Sequence, residues 1–182
     1  MKIVAFVFTL FAGLVPMSSA IAGGFIIQSN DLADGQFNNA QISDSFGCHG
    51  ENISPAISWS GEPAGTKSFL VTMYDRDAPT GSGFWHWVVA NLPASVHTLT
   101  LGAGSKVSRL PKGAIAIKND IGKAGYLGPC PPEGENHRYV ITVAALKVPA
   151  LPVDSTATPA VVGFVAHYQE LAKATVTVQY AR

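Results

Sequence analysis

Apolar and polar positions alternate with period two along much of this chain, the pattern of half-buried β-strands rather than helices. Ser68 to Asp75 shows it best: Phe69, Val71 and Met73 point to one side, Leu70, Thr72 and Tyr74 to the other. Both sides are largely apolar, which predicts a central strand covered on each face. His86 to Asn91 is a second strand, with Trp87 and Val89 opposite His86, Val88 and Ala90, and Pro93 as its stop. Arg138 to Val148 is a third, again apolar on both faces. Shorter strands are expected at Phe25–Ile27, Ile57–Ser60, Ala114–Ile117 and Thr175–Tyr180, with a further one near Ile42. Glu62-Pro63-Ala64-Gly65 is turn chemistry, since Pro sets φ and Gly accepts the left-handed position.

One segment switches to helical spacing. Val161, Phe164, Val165, Tyr168, Leu171 and Ala172 recur at three and four residues, predicting an apolar helix face. Thr158 before Pro159 supplies an N-cap followed by Pro at the first helical position. Many strands, one helix near the C-terminus, no repeat and no linker predict a mainly β domain with a peripheral helix.

The first residues follow neither pattern. Lys2 precedes an uncharged run from Ile3 to Val15, and Ala20-Ile21-Ala22 matches the small-residue cleavage pattern of an export signal. A buried helix or membrane anchor is the competing reading, but the run falls short of the ~20 apolar residues that span a bilayer. We therefore expect a cleaved signal at 1–22, a single domain at 23–182, and a periplasmic or secreted protein.

Composition narrows the function class. The 12 basic residues, Lys2 among them, balance 12 acidic ones, which argues against nucleic acid and against anionic membrane surfaces as partners. With 13% charged residues, 18 Gly and 12 Pro, the chain reads as an ordered, turn-rich domain. Cys48 and Cys130 are an even pair in an exported chain, so a disulfide is expected, against the alternative of two unrelated buried thiols. No C-x-x-C, G-x-S-x-G, H-E-x-x-H, G-x-x-x-x-G-K-[ST] or G-x-G-x-x-G occurs, which counts against the enzymes built on those motifs.

Uncommon chemistry concentrates in two places. Asp75-Arg76-Asp77-Ala78-Pro79 leads through Trp85-His86-Trp87, and Gly125-Tyr126-Leu127-Gly128-Pro129-Cys130-Pro131-Pro132 leads to His137-Arg138-Tyr139. Prolines remove amide donors and stiffen the second loop, while Gly125 and Gly128 allow close backbone approach. A stiff loop with open glycine amides beside a histidine can cradle an anion. It can equally be a Pro-rich turn. Asp75 and Asp77 can cap turns, and His86 between tryptophans can be a core histidine. His49, His97 and His167 read as structural or surface residues.

Taken together, D-x-D-A-P with W-H, then G-x-x-G-P-x-P-P with H-R-Y, resembles the double signature of the phosphatidylethanolamine-binding proteins, also called Raf kinase inhibitor proteins. The match is strongest to the bacterial exported branch. The resemblance implies a β-sandwich with a Greek-key sheet and a small anion pocket for phosphate-type ligands such as phosphorylethanolamine. Carried over, the pocket residues are Asp75, His86, His137 and Tyr139, with Gly125 supplying backbone and Pro129 shaping the rim. Asp77, Pro79, Trp85 and Arg138 support them, and a cis peptide precedes Pro79. Arg76 stands where many members have Pro. Nothing matches the kinase-regulating surfaces of eukaryotic members, so Raf inhibition is not transferred.

The expectation is thus a non-enzymatic binding protein for a small anionic or phosphorylated ligand, without cofactor, metal or membrane span. A protein partner and a homodimer stay open. Two other classes compete: a metal-assisted or acid–base hydrolase using Asp75, His86 and His137, and an inhibitor or host-interaction protein.

Overall fold

The computed structural model describes residues 24–182, so the predicted export signal lies outside the described residues. Eight strands and one α-helix follow in chain order: β1 (Ile26–Gln28), β2 (Ile57–Ser60), β3 (Ser68–Asp75), β4 (Phe84–Pro93), β5 (Thr98–Leu99), β6 (Ile115–Ala116), β7 (Asn136–Leu146), α1 (Pro159–His167) and β8 (Glu170–Ala181). They form a three-stranded sheet, β1-β2-β5, and a five-stranded sheet, β6-β4-β3-β7-β8. Every strand pairing within these sheets is antiparallel. β3 and β4 form a hairpin, β6 lies beside β4, and β7 returns by a long connection to lie beside β3. That is the Greek-key order.

The two apolar faces of the predicted central strand find separate cores. Phe69, Val71 and Met73 are fully buried with Trp59, Trp87 and Tyr139 between the two sheets. Leu70 packs on the other face with Val88, Ala144, Leu146, Val162 and Ala166 beneath α1. β3 is indeed the middle strand of five. The expected strand near Ile42 does not form. That backbone instead bonds to neighbouring loops, with Asn52 N donating to Ile42 O at 2.8 Å and Ser43 N to Pro129 O at 3.1 Å.

The helix starts as expected, with the Thr158 hydroxyl accepting from Val161 N at 3.3 Å, but it turns the opposite way. Its buried residues are Pro159, Val162 and Ala166. Val161, Phe164 and Tyr168, predicted to face the core, are 50%, 65% and 59% exposed. Val162 and Ala166 pack on Leu70, Val88, Ala144 and Leu146 of the sheet, and the stripe of Val161, Phe164 and Tyr168 is left outside. Leu171 and Ala172 belong to β8, not to the helix.

Strict alternation also fails in β4, where the pairing with β3 shifts register twice, once between Phe69 and Val71 and once beside the cavity. Met73 pairs with Trp87 and Tyr74 with Trp85, so His86 is an extra residue in the ladder. A bulge of this kind sets two successive side chains on one side of the sheet. His86 therefore joins Trp87 on the inner face, where its ring meets Tyr139 at 5.2 Å and Phe84 at 4.9 Å. Alternation alone had placed it opposite Trp87.

Cys48 and Cys130 are disulfide-bonded across a sequence separation of 82. The bridge ties the loop before residue 50 to the Pro-rich loop ahead of β7.

Candidate functional site

Where β3 and β4 end and β7 begins, the inner face of the large sheet opens into a cavity of about 310 Å³. Register explains why polar groups gather there. Asp75 is the last residue of β3 and pairs with Phe84 on one side and Tyr139 on the other. His137 lies two residues before Tyr139 on the same face, and the β4 bulge brings in His86. Asp75, His86, His137 and Tyr139 all line the cavity, with Pro79 at its edge. All four are buried, at 3%, 6%, 3% and 0% exposure.

Hydrogen bonds assign each group a state. His137 Nδ1 donates to Asp75 Oδ2 at 2.7 Å, and its Nε2 donates to Glu135 Oε2 at 2.7 Å. Burial opposes charge on this ring, but the Glu135 and Asp75 carboxylates outweigh it and raise its pKa above the ordinary histidine value. His86 is the reverse case. Burial pushes it down to about 4, against the opposing pull of the Leu127 carbonyl and Asp75. It is neutral near pH 7, with Nδ1–H donating to Leu127 O at 3.0 Å. Its bare Nε2 then faces Asp75 Oδ2 at 4.0 Å. Asp75 Oδ1 accepts from Asp77 N at 2.9 Å, so both carboxylate oxygens have protein donors. The Tyr139 hydroxyl is fully buried with no hydrogen-bond partner. Burial, the nearby Asp75 charge and a weak contact of the hydroxyl with that carboxylate, short of a well-formed hydrogen bond, raise its pKa, which keeps it a donor.

Two expected roles change. Both His137 nitrogens are engaged, so this ring orients Asp75 rather than offering a free donor. The loop amides at the cavity wall are also spent: Gly128 N donates to Asn52 Oδ1 at 2.7 Å, and Leu127 N to His86 O at 2.9 Å. The cavity is therefore not a cradle of open amides.

Other predicted residues lie off the cavity. Gly125 does not line it; at φ +107 it packs where a Cβ would stand 2.7 Å from Gly104 O, and its carbonyl accepts from Asn119 Nδ2 at 3.3 Å. Gly128 takes its place at the wall, packed so tightly that a Cβ would meet Gln41 O at 2.3 Å. Pro129 is also outside, its carbonyl bonded to Ser43 N, while Pro131 and Pro132 form the rim. Trp85 faces the opposite side of the sheet, its ring 4.5 Å from that of Tyr74. Asp77 and Arg138 make a bidentate pair outside the cavity, at 2.6 and 2.8 Å, which staples the end of β3 to the start of β7. That pairing holds the Asp77 carboxyl at about 2. No cis peptide occurs among the described residues, so the bond before Pro79 is trans. The chain turns there through Asp77 N to Asp75 Oδ1 and Thr80 N to Ala78 O, the latter at 2.8 Å.

Phe46, Phe84, Leu127 and Arg182 also line the cavity. Sequence reasoning missed them. Phe84 begins a strand next to the D-x-D-A-P turn and could have been found by extending β4; Phe46 and Arg182 carry no motif at all.

Comparison with known proteins agrees with the fold and the two-part motif. A family model described as phosphatidylethanolamine-binding protein matches residues 32–181. The UPF0098 protein YbhB of Escherichia coli is 49% identical over 154 residues, covering 84% of this chain and 98% of that protein. The crystal structure of E. coli YbcL, described as a new member of the mammalian PEBP family, superposes with a TM-score of 0.85 at 45% identity, covering 88% of this chain and 99% of YbcL. A relative from Mycobacterium tuberculosis named as lipoprotein LppC is 36% identical over 124 residues, 67% of this chain and 55% of that one.

Proposed function

The chain belongs to the phosphatidylethanolamine-binding protein family, and we propose that its cavity binds a small phosphate-type anion without turning it over. The observation that carries this reading is the Tyr139 hydroxyl, buried, partnerless and lining the cavity. A buried polar group without a partner costs about 1–3 kcal/mol, a cost that a ligand oxygen accepting from Tyr139 would remove.

The remaining groups complete a site for a protonated anion. His86 Nε2 carries a lone pair and Asp75 Oδ2 stands 4.0 Å away, so a ligand O–H or ammonium can donate between them. A dianion fits the same groups once His86 has taken up a proton and donates through Nε2. Either way one proton accompanies the anion, and affinity rises as pH falls toward the His86 range. His137 holds Asp75 in place from behind. Asp75 and His137 are tied into fixed hydrogen bonds, so neither is free to act as a base, and both serve to orient a ligand. Export to an oxidising compartment fits the Cys48–Cys130 bridge and the lipoprotein name of the mycobacterial relative.

Titrating the isotopically labelled protein with phosphorylethanolamine tests the site. The His86 ring and Tyr139 signals should shift together and more strongly at pH 6 than at pH 8. If they stay still while distant signals move, the site is misplaced. Turnover of a phosphate monoester that disappears in Asp75→Asn would replace binding with hydrolysis.

A further inference from the structure

One wall of the cavity is built against local preference. Cys48 N donates to Ser45 O at 3.1 Å, closing a four-residue turn. Its central residues, Phe46 and Gly47, have φ of 58° and 81°. Two positive φ values define a type I′ turn, whose first central position belongs to Asn, Asp or Gly. Here it holds a phenylalanine, 64% exposed at the cavity mouth. Backbone strain and an uncovered aromatic ring are both unfavourable, so such a residue persists only where its surroundings over-determine it.

The surroundings do so twice. The Cys48–Cys130 disulfide fastens the turn to the Pro-rich loop. Arg182, just beyond β8, reaches across the rim: Nη1 donates to Phe46 O at 3.2 Å and Nη2 to Gly47 O at 2.9 Å. The same guanidinium touches Cys130 Sγ at 3.6 Å and Glu133 Oε1 at 3.3 Å. Gly47 is needed for this approach, because a Cβ there would stand 2.9 Å from Arg182 Nη2. The guanidinium donors go to the loop, so Arg182 acts on the cavity through the backbone of Phe46. Phe84 and Pro79 line the same cavity as Phe46 and the polar groups Asp75, His86 and His137.

We propose that Phe46 is a specificity-determining residue, the contact by which the cavity tells a substituted anion from a bare one, and that Arg182 is its positioning residue. The proposal rests on the cavity being the ligand site. A phenyl group on the anion would lie between Phe46 and Phe84, and one aromatic contact of this kind is worth roughly fivefold in affinity, about 1 kcal/mol.

The test compares phenyl phosphate with inorganic phosphate on the oxidised protein, by calorimetry and by NMR of the Phe46 and Phe84 rings. The wild-type preference for phenyl phosphate should be about fivefold and should collapse toward one in Phe46→Ala and in Arg182→Ala. The double variant should lose no more than either single one, since both act through one contact. Arg182→Lys keeps the charge but replaces the planar two-nitrogen fork that holds the Phe46 and Gly47 carbonyls with a single nitrogen, so it should lose the preference as well. Equal wild-type affinities, a preference that survives Phe46→Ala, additive losses, or full preference in Arg182→Lys would each overturn the proposal. If neither phosphate binds, the anion reading fails and benzyl alcohol decides this one. Shifts at Phe46 and Phe84 that vanish in Arg182→Ala sustain it; no shifts sink it.

Discussion

Replacing His86 by Asn tests the electrostatic reading of the cavity through stability alone. The Asn amide can keep the donation that His86 Nδ1 makes to Leu127 O, while the titrating group is gone. In the wild type, burial lowers the His86 pKa from 6.5 to about 4. Below pH 6.5 the unfolded chain therefore binds a proton that the folded chain refuses, and stability falls as pH falls. At 1.36 kcal/mol per pH unit, the loss between pH 8 and pH 4.5 from this residue is about 2.5 kcal/mol. His137 works in the opposite direction. Its raised pKa contributes stability that is fully present below 6.5 and is lost as pH rises through its folded value, but both proteins carry it and it cancels. Urea unfolding of wild type and His86→Asn at pH 8 and pH 4.5 gives the four free energies needed. The packing loss from removing the ring is the same at both pH values, so the difference between the two differences isolates the titration. The variant should lose about 2.5 kcal/mol less than wild type on acidification. An equal loss in both proteins would show that His86 titrates normally, and the proton-coupled binding proposed for the cavity would fall with it.

Tyr139→Phe removes a buried hydroxyl that has no partner; thermal unfolding should show stability unchanged or raised by up to about 1 kcal/mol, while phosphate affinity drops severalfold. Lower stability with intact affinity would refute the ligand role. Cys48→Ser with Cys130→Ser opens a loop of 82 residues and should lower urea stability by up to about 4 kcal/mol, read against the oxidised wild type; an unchanged midpoint would show the bridge to be idle. Gly128→Ala drives a Cβ to within 2.6 Å of Gln41, Ile42 and Ser43 backbone atoms, so it should cost more than about 2 kcal/mol. Gly163→Ala, with open space around it inside α1, should instead stabilise by up to about 1 kcal/mol. Comparable melting temperatures for the two would contradict the packing described.

The long strands, the Thr158 cap and the two motif stretches are legible in the sequence because each depends on neighbours a few residues apart. Period-two alternation located β3, β4 and β7, and their apolar faces placed β3 in the middle of the sheet. The co-location of Asp75, His86, His137 and Tyr139 came from the family resemblance; register then gives it a cause, because Asp75 pairs directly with Tyr139. Other features answer to contacts the chain makes with itself over long separations. Whether His86 faces the core depends on one extra residue against β3, and no alternation rule marks where a bulge falls. Which stripe of α1 is buried depends on where the helix meets Leu70, Val88 and Leu146 of the sheet, a contact that periodicity within the helix does not fix. Gly125 and Gly128 look equivalent in a loop, yet only one meets the cavity, because the other is pressed against residue 104. Phe46 and Arg182 are 136 positions apart and carry no local signal. Local propensity and periodicity could thus specify the elements and much of the chemistry, whereas the shape of the cavity wall came from packing between segments that only the folded chain brings together.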